Sequence, residues 1–173
     1  MDRFNAPLSR KGTYCTQWDF CEDRFGVKDI IPFSISDMDL PIPEAITTAL
    51  HKRLEHPVLG YSRWQHPEYL DAICHWYSRE YHTDVDTEWV TYSPSVMYSI
   101  ARALELLTMG GDGILIFTPA YNAFFDVIKY SGRRLLTSTL IRDAGGRYTI
   151  DWPDFDAKVR DARIVLVCNP HNP

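Results

Sequence analysis

The spacing of apolar residues changes part way along this chain, and the change separates two groups of elements. In PEAITTALHKRLEH, apolar residues fall at Ala45/Ile46, Ala49/Leu50 and Leu54. That is the spacing of one helix face, and Pro43 suits a first turn. Residues 67–81 repeat the pattern, with Leu70, Ile73, Cys74, Tyr77 and Tyr81 on a common side. Between them, VLGYSRW at 58–64 predicts a loop. At 88–93 the run EWVTYS reads as a short strand closed by Pro94. Ser95 then has the chemistry of an N-cap for a helix that buries Val96, Ile100, Ala103, Leu104 and Leu107. Gly110 or Gly111 is expected to stop it.

Beyond that helix the chain alternates. GILIF predicts a strand and YNAFFDVIKYSG a helix ended by Gly132. RRLLTSTL predicts a strand, WPDFDAKVRD a short helix and RIVLVC a strand. Strand–helix–strand alternation with short links predicts an α/β fold with a mixed, mostly parallel sheet covered by helices. The first forty residues are irregular and aromatic (Tyr14, Trp18, Phe20, Phe25, Phe33) and suit packing on something larger. Two regions follow, 1–85 and 86–173, with a seam near residue 85.

Composition narrows the function more than the fold. The chain has 173 residues, 45% hydrophobic, enough for one sizeable core. The formal net charge of -5 is made of interspersed charges. No basic stripe points to nucleic acid. No apolar stretch follows the charged N-terminus, so a signal peptide is not expected. The apolar run ILIF falls far short of the roughly 20 residues that span a bilayer. A cytoplasmic setting is expected. Cys15, Cys21, Cys74 and Cys168 form no CxxC pair and read as free, mostly buried thiols. The six histidines are scattered, and no metal site is expected.

Ligands of open α/β sheets gather beyond the carboxyl ends of the strands. Three predicted junctions there carry proline with small or polar residues: SPSVMYS, TPAYNAFF and NPHNP. At the first, the N–H groups of Val96 and Met97 with the Ser95 hydroxyl can hold a phosphate at the positive end of a helix. Taken by itself, that junction is better explained as an ordinary N-cap. At the second, Tyr121 can present a flat face to an aromatic ligand, although taken alone the aromatic residues at 121, 124 and 125 fit a core better than a cofactor box. At the third, prolines restrict the backbone around Asn172, so its side-chain amide can be aimed at an oxygen. A plain proline turn is the alternative. Taken together the three suit a phosphorylated aromatic ring that bears an oxygen, and pyridoxal phosphate fits.

The same stretches resemble the N-terminal part of fold-type I pyridoxal-phosphate enzymes. The resemblance runs through KGTYCTQWD at 11–19, DRFG at 23–26, PFSISDMDLPIPEAI at 32–46, LGYSRW at 59–64, SPSVMYSIARAL at 93–104, FTPAYNAFF at 117–125 and CNPHNP at 168–173. Within the class I/II aminotransferase family it is similar to the MalY/PatB branch of cystathionine β-lyases (C–S lyases), to which the SDMD stretch and the GYSRW loop point. The resemblance implies that Ser95, Val96 and Met97 bind the cofactor phosphate, that Tyr121 stacks on its ring and that Asn172 meets its phenolic oxygen. It implies that Tyr61 reaches the cofactor of a neighbouring subunit in a homodimer, and that Asp37 and Asp39 lie near the substrate entrance.

The family pattern continues past CNPHNP to an aspartate for the pyridine nitrogen, a Schiff-base lysine and a carboxylate-binding arginine. Lys11, Lys28, Lys52, Lys129 and Lys158 match no such lysine position. The expectation is therefore the front part of a longer, truncated fold, inactive alone. The resemblance implies a parent enzyme that cleaves cystathionine or a related amino-acid thioether to a thiol, pyruvate and ammonia. An aminotransferase of the same fold is the nearer alternative, and a non-enzymatic binding module the more distant one.

Overall fold

A computed structural model of the chain describes residues 5 and 7–173. They divide into two compact units, one ending at Ser62 and one running from Arg63 to Pro173.

The first unit is mostly irregular, with two helices, α1 (Cys21–Phe25) and α2 (Glu44–Leu54). Its order comes from polar staples. Asp19 accepts backbone N–H bonds from Gly12 (2.8 Å), Thr13 (3.1 Å) and Cys15 (3.0 Å). That carboxylate closes a turn in which Gly12 and Tyr14 take left-handed backbone angles, φ 78° and 59°. Cys15, Gln17 and Cys21 are buried around it, and Cys15 and Cys21 are free thiols, as their spacing predicts. Pro43 stands one place before α2, as its N-cap. None of α2 is buried, and Ile46, Leu50 and Leu54 are exposed along one side.

The second unit opens with α3 (Pro67–Tyr81), whose bounds match the periodic stretch 67–81. The expected strand at 88–93 is absent. A single 3-10 turn, Thr87–Trp89, stands there, capped by Asp86, whose side chain accepts from the Glu88 N–H. A short β-like run becomes a strand only when a neighbouring strand takes its backbone groups. Among the described residues none does so, and the acidic cap turns the chain instead.

The core is built by α4 (Val96–Leu107), β1 (Gly113–Thr118), α5 (Asn122–Tyr130), β2 (Arg134–Thr139), a two-residue hairpin β3 (Ile141–Arg142) and β4 (Tyr148–Thr149), α6 (Trp152–Val159) and β5 (Ala162–Leu166). β1 is the central strand of a parallel three-stranded sheet in the order β2-β1-β5. Side chains alternate across it. Ile114 and Ile116 face a cluster with Leu104 of α4 and with Phe124 and Ile128 of α5. On the other face Phe117 stacks on Phe155 of α6, with ring centroids 5.6 Å apart. The mostly parallel, helix-covered α/β sheet is thus as the alternation predicts.

Details at the element ends show what sets them. A bulge in the β1–β5 pairing falls at Gly113, and a Cβ there would collide with the Asp161 carbonyl. α5 ends in a Schellman motif. Gly132 (φ 72°) donates to Lys129 O, and Arg133 N donates to Ile128 O. α4 stops at Leu107, before the glycines, because Thr108 is extended and its hydroxyl bonds Leu104 O. Arg133 seals that end, donating from Nη2 to the carbonyls of Leu104 (3.1 Å) and Thr108 (2.8 Å) and from Nε to Thr108 Oγ1 (2.9 Å). The buried side of α4 is narrower than expected. Leu104 is buried, and Met97 and Ile100 pack against the core. Val96, Ala103 and Leu107 are exposed. No helix among the described residues is long and apolar enough to cross a membrane.

Candidate functional site

Parallel pairing sends the exits of neighbouring strands out at one edge. β1 leaves through Thr118 to Tyr121, and β5, its neighbour, leaves toward Cys168 and Asn172. His171 Nε2 lies 2.7 Å from the Pro119 carbonyl, so the two exit turns touch directly. The β2 exit joins them: Thr118 Oγ1 and Thr139 Oγ1 are 3.2 Å apart, and Leu140 N donates to Thr118 O at 2.8 Å.

α4 points its N-terminus toward the same edge. Its C-terminal carbonyls are held by Arg133, next to the start of β2, so the helix runs back along the sheet. Its 12 residues cover about 18 Å, close to the roughly 20 Å of a six-residue strand. Met97 in its first turn packs on the core cluster that holds Phe124 of the first turn of α5.

At that edge each residue has a definite state. Ser95 is the N-cap, its Oγ accepting the Tyr98 N–H at 3.1 Å. Val96 and Met97 occupy the first two helical positions, whose N–H groups have no acceptor within a helix. Tyr121 caps α5, is 41% exposed, and meets Phe124 edge-on at 5.5 Å and 90°. Part of its ring therefore stays open. Asn172 is exposed between Pro170 and Pro173.

Tyr61, Asp37 and Asp39 belong to the first unit, and Tyr61 is fully exposed. The two aspartates are tied down. Arg10 donates to Asp37 Oδ2 (3.0 Å) and to Asp39 Oδ1 (3.4 Å), and the Trp18 indole N–H lies 3.0 Å from both Asp39 oxygens. The hydrogen bond to Asp37, before any other influence, holds the Arg10 guanidinium pKa above its ordinary value.

Several contributors escape a reading of local pattern. Ser99 donates to Ser93 Oγ at 2.7 Å, and Ser93 donates to Ser95 O at 2.9 Å, bracing the capping turn of α4. Ser99 Oγ also lies 3.4 Å from Ser95 O, the one contact here that i, i+4 spacing signals. Arg10, Trp18, Arg133 and His171 act across 21 to 52 residues of chain, and no local signal marks them.

A parallel sheet whose exits bring a helix N-terminus, an aromatic ring and an amide-bearing turn to one edge is the framework of an α/β small-molecule-binding protein. The family model for aminotransferase class I and II matches residues 28–173, and the chain belongs to that family. It is 41% identical to the protein MalY of Escherichia coli K12 over 172 residues, which is 98% of this chain and 44% of MalY. It is 36% identical to the cystathionine beta-lyase PatB of Bacillus subtilis 168, again over 98% of this chain and 44% of the relative. The solved structure of the PLP-bound C-S lyase from Staphylococcus hominis superposes with a TM-score of 0.86 at 27% identity, covering 98% of this chain and 43% of that one. The chain thus spans less than half the length of the relatives it matches.

Proposed function

We propose that this chain holds pyridoxal 5′-phosphate within a C–S β-lyase that cleaves cystathionine or a related cysteine thioether. One observation carries the reading: β5 pairs beside β1, so the Tyr121 and Asn172 turns leave the sheet together at the edge toward which α4 directs its N-terminus.

The residues present fit the group. Ser95 Oγ accepts from the Tyr98 N–H, which leaves its own proton to donate. That proton and the first-turn N–H groups of Val96 and Met97 suit a phosphate, favoured further by the helix dipole. The open part of the Tyr121 ring suits stacking on a pyridine. The Asn172 amide, between two prolines, is a donor of restricted direction for a phenolic oxygen. When bound, the cofactor supplies an electron sink for the Cα electrons of an amino acid. The residues named here bind and orient. None of Lys11, Lys28, Lys52, Lys129 and Lys158 is assigned to the covalent link. In this reading Tyr61 serves the site of a second subunit in a homodimer, and Arg10 and Trp18 hold Asp37 and Asp39 at the entrance.

With cystathionine and water, the expected products are homocysteine, pyruvate and ammonia. The test is an assay of the full-length protein. Pyruvate release without an added keto acid supports the lyase. Strict dependence on a keto acid replaces it with an aminotransferase of the same family. Absence of both activities, with no cofactor bound, overturns the reading.

A further inference from the structure

We propose that His171 is a positioning residue that staples the turn carrying Asn172 to the turn carrying Tyr121 and so fixes where the Asn172 amide points. This rests on the reading of the edge as a cofactor site.

The argument starts from the acceptor. The Pro119 carbonyl can only accept, and it lies 2.7 Å from His171 Nε2. The imidazole must therefore donate from Nε2. The contact thus fixes a proton on Nε2 of the imidazole.

The link matters because both turns are stiff where it joins them. On the β1 side, Ala120 packs against the core and Tyr121 leads straight into α5. On the β5 side, Cys168 packs against the same core, and its Sγ approaches the Pro170 carbonyl at 3.5 Å. Between Cys168 and Asn172 the exit turn has one further anchor, the imidazole, immediately before Asn172. Without it, the nearest preceding anchor of Asn172 is the core contact of Cys168, four residues back. Pro170 and Pro173 limit local angles near Asn172 but do not fix the turn against its neighbour.

The experiment uses the full-length protein and variants His171→Ala, His171→Gln, Asn172→Ala and the double variant. A lost hydrogen bond predicts that His171→Ala weakens pyridoxal 5′-phosphate binding by roughly two- to tenfold in equilibrium dialysis. Gln, which keeps an N–H donor at similar reach, restores most of it. Because His171 acts through Asn172, His171→Ala adds nothing in the Asn172→Ala background. A general loss of stability would add in both backgrounds. Unchanged affinity in His171→Ala, full additivity in the double variant, or no rescue by Gln overturns the proposal. A wild-type protein that binds no cofactor would remove the reading of the site. The staple itself has a separate readout, slowed exchange of the His171 ring proton in ¹⁵N spectra with or without cofactor. A freely exchanging proton overturns the staple.

Discussion

Asp19 shows how one carboxylate organises a stretch with little regular structure. Its bonds from backbone N–H groups, Gly12 foremost, hold its pKa below the usual carboxylate range, although some desolvation opposes them. The sign follows from linkage. A folded-state pKa below the unfolded one gives stability that is fully present above the unfolded value, about 3.9. It is lost as pH falls through the lower, folded value. An NMR titration of the Gly12 and Thr13 amide shifts is expected to show a midpoint under 3.9, and Asp19→Asn removes that transition. A midpoint at or above the ordinary value would mean that the turn is held otherwise. In the sequence KGTYCTQWD was legible as a family stretch, but not as a turn built around its own last residue. The left-handed Tyr14 is the reason: its backbone angle is tolerated because Asp19 has gathered the N–H groups around it. Asp37 and Asp39 are similar. Their partners, Arg10 and Trp18, lie 21 to 29 residues away, and no spacing rule reaches so far.

Among the elements, caps were more legible than buried faces. Ser95 is an N-cap by chemistry and by structure, and Ser95→Ala is expected to cost about 1 kcal/mol of stability. A denaturant midpoint measures that loss, and Ser95→Asn should recover most of it. Retention of full stability in the alanine variant would show that the Ser93–Ser99 pair suffices to hold the turn. The covered side of α4 is narrower than its apolar spacing predicts. Met97, Ile100 and Leu104 follow one another at helical spacing and touch the core, whereas Val96 and Leu107 flank that line in the open. Periodicity reports which positions are apolar; the width of the neighbour decides how many are covered. The hairpin of β3 and β4 passed unrecognised although the signal existed: RDAGGR places two glycines between Ile141 and Tyr148, and Gly146 takes φ 83°.

At the scale of the molecule, the exposed apolar surface leads to an expectation about the chain by itself. Neither α2 nor α3 has a buried residue, and Leu50, Leu54, Trp76 and Tyr81 are among many large apolar side chains left open. In the sheet, β2 and β5 are both edge strands among the described residues. Such surfaces recruit other chains. A preparation limited to residues 1–173 is expected to self-associate at micromolar concentration, seen as a concentration-dependent mass in analytical ultracentrifugation. A monomer that unfolds in one cooperative step would contradict this. What the sequence determined by itself was local. It set the strand–helix alternation, the cap at Ser95, the glycine stop after α5 and the residue types of the three junctions, because caps, turns and periodicity act within one helical turn or one pleat. Tertiary structure alone decided that β5 pairs beside β1, that EWVTYS finds no strand partner among the described residues, that Arg10 spans two aspartates, and that His171 reaches Pro119. Those outcomes depend on which distant segments compete to bury the same apolar surface and satisfy the same backbone groups, and that competition is settled only when the whole chain packs.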